Sequence, residues 1–140
     1  MTSSPVSPYL ARIDLYPVKS LDGVSVTQAM VLPTGALKCD RTYALFDSQG
    51  QVINAKRTAK IHGVRSHFSP DFDAITLWVQ SSEDRATFHL HDHRADIEAW
   101  FSEYFQQSVN MQENQDLGFP DDTASPGPTV ISTATVETIT

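Results

Sequence analysis

The sequence predicts a small, mostly β (α+β) domain: a β-barrel with one amphipathic helix toward its C-terminal end. Three observations carry this. Short stretches of alternating apolar and polar residues recur between turns marked by glycine and proline. Past residue 93 the apolar period lengthens, once, to that of a helix. A chain of 140 residues, 40% hydrophobic, is long enough to bury a core without staples. Its single cysteine, Cys39, excludes an intramolecular disulfide and a thiolate-cluster zinc site.

The elements follow in order. Residues 1–8 (MTSSPVSP) are rich in Ser and Pro and are expected to be disordered. Residues 9–16 (YLARIDLY) alternate, with Ala11, Ile13 and Leu15 on one face, and predict a half-buried strand that Pro17 ends. A turn at residues 19–23 leads to a second strand over residues 24–32. Residues 42–47 and 51–54 flank Ser48-Gln49-Gly50 and predict a hairpin, with glycine where positive φ is needed. Residues 61–68, 73–80 and 86–91 predict three further strands, with Ile75, Leu77 and Val79, then Ala86, Phe88 and Leu90, pointing inward.

Ile97, Trp100, Phe101, Tyr104 and Phe105 recur at helical spacing and predict a helix over residues 94–107 with an aromatic core stripe. Asp92 or His93 is placed to cap it. Residues 109–112 predict one more short strand. Residues 113–128 predict a Gly/Pro/Asp-rich linker, and 129–132 (TVIS) the start of a new strand, followed by helix-forming residues to 140. The barrel domain is therefore expected over residues 9–112. Residues 115–140 are expected to be poorly ordered, since their strand and helix lack packing partners.

The net charge of −7 is unevenly spread: residues 1–70 carry +4 and residues 71–140 carry −11. An acidic chain is a poor nucleic-acid binder, because affinity for that backbone comes from basic residues releasing counterions. A local basic patch suits a small anion such as phosphate, although most such charges merely solvate a surface. No apolar run approaches a membrane span, and the first residues have no secretory-signal pattern. A cytoplasmic setting is expected.

Leu15-Tyr16-Pro17-Val18-Lys19-Ser20, then Gly23-Val24, then Gly35 and Cys39-Asp40-Arg41-Thr42-Tyr43-Ala44-Leu45 resemble the MOSC N-terminal β-barrel domain. Asn54-Ala55-Lys56 lies where that family has Thr-Ala-Arg. Phe119-Pro120-Asp121 and the residues from Val130 to Thr135 are similar to its linker and to the first strand of the following MOSC domain, so that residues 129–140 would be the cut-short start of that domain. The resemblance implies a molybdenum-cofactor protein whose pterin, molybdopterin, lies between the two domains. It implies cofactor phosphate contacts from Lys19, Ser20 and Arg41, with Lys56 and Arg57 as weaker candidates. Lysine and the forked donors of arginine suit phosphate, and a serine hydroxyl with turn amides completes an anion nest.

The resemblance further implies an oxidoreductase acting on N-hydroxylated or similar substrates, with a C-terminal MOSC domain and a redox partner protein. In the family the metal is held by a cysteine of the MOSC domain. Cys39 matches no such position and is expected to be a small buried hydrophobe. The chain alone is thus expected neither to bind the cofactor nor to catalyse turnover.

Two other readings compete. One is a free-standing β-barrel that binds a partner or small ligand without a cofactor. The other is a metal site through His89 and His91, which alternate with His93. Neighbouring same-face positions on a strand lie roughly 6–7 Å apart, so three in line rarely converge on one ion, and an exposed strand face is preferred.

Overall fold

The structure is a computed structural model that describes residues 7–132. The disorder expected over residues 1–8 falls, apart from Ser7 and Pro8, outside the described residues, as does the helix expected after residue 132.

Among the described residues, seven strands and one α-helix stand beside a short 3-10 turn (Ala59–Gly63): β1 (Ile13–Leu15), β2 (Val24–Val26), β3 (Tyr43–Phe46), β4 (Val64–Phe68), β5 (Ala74–Val79), β6 (Arg85–His89), α1 (Arg94–Phe105) and β7 (Asn110–Glu113). This is the mostly β domain with one helix that the alternation and the single change of period predict. All named strand pairs are antiparallel. They form three sheets, β1-β2, β3-β7 and β4-β5-β6. Isolated bridges add to them, Val18 to Tyr43 in parallel and Phe46 to Val52 antiparallel.

Several strands are shorter than the alternation suggests. Only residues 13–15 of the first stretch pair, with Leu15 buried and Ala11 exposed. Residues 51–54 form no ladder strand. Val52 bridges Phe46, and the Ile53 amide donates to the Leu45 carbonyl at 2.8 Å. The turn between them is as predicted: Gly50 has φ +77°, and the Asp47 carboxylate accepts the amides of Gln49 and Gln51. Residues 59–63 curl into a 3-10 turn, so β4 begins three residues later than the pattern implies. The Tyr104 hydroxyl sits so close to Gly63 that a Cβ there would lie 2.5 Å from it.

Ile97, Phe101 and Phe105 of α1 are the buried row of the aromatic stripe. Trp100 and Tyr104 flank it, half-buried. The helix ends at Phe105 rather than 107 because Gln106 turns left-handed, with φ 56°. His93 is the N-cap residue, and no side chain makes a capping bond there. Phe101, Ile97, Leu45, Ile75 and Leu77 are fully buried and form the centre of one core with Val18, Ile53 and Met111. Each such side chain contributes about 1.5–3 kcal/mol relative to exposure.

Residues 129–132 carry no regular structure, so the strand expected there is absent among the described residues. No helix among these residues is long and apolar enough to cross a membrane.

Candidate functional site

The two motif segments, residues 16–20 and 39–43, lie side by side. Pro17 directs the chain out of the β1-β2 ribbon, and the next residues run parallel to the start of β3. The Arg41 amide donates to the Tyr16 carbonyl at 2.5 Å, the Tyr43 amide to Pro17 at 3.0 Å, and the Lys19 amide to Tyr43 at 2.9 Å. The Asp40 carboxylate locks the register, with Oδ1 accepting the Tyr16 amide at 2.9 Å across 24 residues of sequence. Its Oδ2 holds the Arg41 guanidinium at 3.1 Å from Nε and 3.0 Å from Nη2. Arg41 is thereby a positioned fork rather than a loose surface charge.

Backbone strain concentrates here. Five non-glycine residues have positive φ among the described residues, and Ser20 (71°), Cys39 (70°) and Arg41 (49°) are three of them. Such conformations cost free energy and persist where the surroundings hold them, which is characteristic of ligand-binding turns. The Ser20 hydroxyl accepts the Ala55 amide at 3.3 Å and so ties the turn carrying Lys56 to the Lys19 segment.

Lys19 is buried, its side chain 8% exposed. Its ammonium donates to the Phe119 carbonyl at 2.8 Å and to Asp121 Oδ1 at 2.7 Å. A buried ammonium demands such acceptors, since its desolvation is otherwise uncompensated. The hydrogen bond and charge of Lys19 hold the Asp121 carboxyl below its ordinary range, and the charges of Lys56 and Arg41 pull the same way. Three of the five candidate residues therefore act on one carboxylate. Arg57 does not join them: its amide and guanidinium are held by Asn54 and Gln51.

Residues 115–121, expected to be poorly ordered, are pinned across this site. The Phe119 amide donates to the Arg41 carbonyl at 2.8 Å, its ring meets Phe46 edge-on at 5.7 Å, and Thr34 donates to the Asp116 carbonyl at 2.6 Å. Gly118 makes the approach possible. It has φ +69°, and a Cβ there would come within 2.9 Å of the Arg41 carbonyl and 3.0 Å of Asp40's. Sequence reasoning missed this strap; the one signal was Gly-Phe-Pro-Asp inside a stretch otherwise read as linker.

Cys39 is half-buried rather than buried, and its position is a strained turn rather than a packed core. Burial pushes its thiol up despite the opposing charge of Lys38, so it is protonated and poorly nucleophilic at neutral pH. The histidines are not aligned on one strand: β6 ends at His89, and His93 begins the helix. His93 Nδ1 accepts the His89 amide at 2.9 Å, and His89 Nδ1 accepts the Asp92 amide at 3.1 Å. Both ring nitrogens close the turn into α1. No cluster of three or more metal-ligating side chains occurs among the described residues.

A different polar group stands behind the site. Tyr43 pairs across the sheet with Glu113, which also receives Arg94 Nη2 at 2.9 Å. Burial and the hydrogen bond to Glu113 push the Tyr43 phenol up to about 12. Burial raises Glu113 as well, but hydrogen bonds from Gln115, Tyr43 and Arg94 outweigh it and leave the carboxyl below its usual range. The pair anchors β3, and with it the Arg41 turn, to β7.

The MOSC N-terminal beta barrel domain family matches residues 7–98. Molybdenum cofactor sulfurase of Oryza sativa subsp. japonica is 28% identical over 89 residues, covering 64% of this chain. The chain spans 11% of the length of that relative.

Proposed function

The chain belongs to the MOSC N-terminal beta barrel domain family, and from that membership we propose that it is the phosphate-binding half of a molybdenum-cofactor site. Lys19, Ser20, Arg41 and Lys56 would hold the phosphate of molybdopterin, and the same turns would form one wall of a substrate cleft. The observation that carries this is the buried Lys19 ammonium, held at 2.7 Å from the Asp121 carboxylate, which stands where an anion would; Arg41 and Lys56 act on that carboxylate through their charge alone. An ammonium, a guanidinium held in orientation by Asp40, and amides of strained turns fit a phosphate dianion. Arg57, whose guanidinium bonds Gln51, stays a weaker candidate than these four.

The metal chemistry belongs to the cofactor, which when bound would supply two-electron reduction of an N-hydroxylated or similar substrate. This chain's residues would bind and orient its phosphate tail and exclude water from it. The remaining wall and the metal ligand would come from the C-terminal partner domain that an N-terminal family of this kind implies, and electrons from a redox partner protein. Similarity to a molybdenum cofactor sulfurase supports the cofactor context.

Titration of the chain with inorganic phosphate, followed by amide NMR, tests the reading. Shifts are expected at Ser20, Arg41 and Ala55. Lys19→Met and Arg41→Leu should each weaken binding about ten-fold, the scale of a charge-assisted hydrogen bond. Arg41→Lys should recover only part of the loss, having charge but no fork. Binding that ignores all three substitutions, or shifts confined elsewhere, overturns the assignment.

A further inference from the structure

Resting on that phosphate reading, we infer that Asp121 is a built-in competitor for the site: its carboxylate occupies the anion position beside Lys19 and has to swing away before a ligand phosphate enters.

The argument starts from Lys19. Its ammonium has three donors, and two are spent on the strap, at 2.8 Å to the Phe119 carbonyl and 2.7 Å to Asp121 Oδ1. With the lysine side chain 8% exposed, a ligand cannot gain this charge while Asp121 keeps it. The two partners differ sharply, however, because the Asp121 side chain is 72% exposed. Rotation into water costs the carboxylate little, since it remains solvated, while the buried ammonium requires a replacement acceptor. The pair is built to exchange its anion rather than to stay closed.

The rest of the strap is better held. Gly118 is buried against the Arg41 and Asp40 carbonyls, and Phe119 keeps its amide bond to Arg41 and its contact with Phe46. Release is therefore confined to residues 120 and 121, and the Phe119 carbonyl remains to share Lys19 with the ligand. A competitor of one negative charge sets a threshold. A phosphate dianion brings two charges and three or more acceptor oxygens and displaces it. A monoanion such as acetate or chloride offers no more than Asp121 already does. The device makes the site selective for phosphate and keeps the buried lysine paired when no ligand is present.

Phosphate titration of the 140-residue chain at pH 8, where the probe is a dianion, tests this with Asp121→Asn, Asp121→Ser and Asp122→Asn. Each variant loses one negative charge, and the amide spectrum of each is recorded first to establish that it is folded. Both Asp121 variants should bind phosphate about three- to five-fold more tightly, the scale of an ion pair with one solvated partner, and Asp122→Asn should not. Both should also gain acetate binding that the unaltered chain lacks. Equal phosphate affinity in the unaltered chain and the Asp121 variants, still abolished by Lys19→Met, overturns the competitor and leaves the phosphate site standing. An equal gain in Asp122→Asn overturns it as well, as an effect of bulk charge. Absence of Lys19-dependent binding in every variant overturns the competitor and the phosphate reading together.

Discussion

Lys19 and Tyr43 show how far single residues depend on surroundings that the chain supplies from elsewhere. Lys19 would be an ordinary solvated lysine without the acceptors of Phe119 and Asp121. Tyr43 is one of four tyrosines in the sequence and is 9% exposed, with Glu113 accepting from it. Its phenol is raised because the neutral form is favoured by burial and by a neighbouring carboxylate. The folded value lies above the unfolded one, so the stability it contributes is fully present below about pH 10 and is lost as pH rises toward about 12. An ultraviolet titration should therefore show one tyrosine ionising late, together with the alkaline loss of fold. Tyr43→Phe should remove that late step. Four tyrosines that titrate together near the ordinary value would contradict the environment described.

At the scale of elements, the strap is the feature that joins chain segments of unlike sequence. Its seat depends on Gly118, where both φ and space exclude a side chain. Gly118→Ala should cost about 1 kcal/mol or more, from the positive φ and the clash with the Arg41 carbonyl. Hydrogen exchange should locate the damage: the Phe119 amide loses protection, whereas the Leu45 and Ile53 amides in the core keep theirs. Uniform loss across both sets would mean that the strap and core are one cooperative unit. The helix illustrates the opposite case, an element whose sequence is self-sufficient. Ile97, Phe101 and Phe105 recur every four residues, and that row is the one buried. Only its last turn differs from the period, because Gln106 adopts a left-handed conformation that spacing does not encode.

For the molecule as a whole, the cluster of buried apolar side chains among the described residues runs from Val18 to Met111, and the strap beyond β7 meets it only at its edge, through Phe119 on Phe46. A chain ended after Asn114 should keep a cooperative, single-step denaturant transition with a modest loss of stability, while Lys19 becomes open to solvent. Circular dichroism during urea unfolding checks this; a non-cooperative transition would show the strap to be integral to the core. The uneven charge also acquires a meaning at this scale. Lys19 from the basic half is neutralised by Asp121 from the acidic half, so the asymmetry is partly cancelled at the candidate site.

The sequence by itself determined the mostly β class, a helix beginning at residue 94, the Gly50 turn and the motif runs that contain Lys19, Ser20 and Arg41. These depend on local period, on turn chemistry or on short runs that can be read without knowing their neighbours. The tertiary structure decided what those residues meet. The parallel pairing of residues 16–19 with 41–43, the engagement of Arg57 by Gln51, the use of His89 and His93 to close a turn, and the docking of residues 118–121 over Lys19 all join segments distant in sequence or choose among local alternatives. The physical reason is that a buried charge or polar group takes its partner from whatever the fold brings within about 3 Å, and no local pattern specifies that partner.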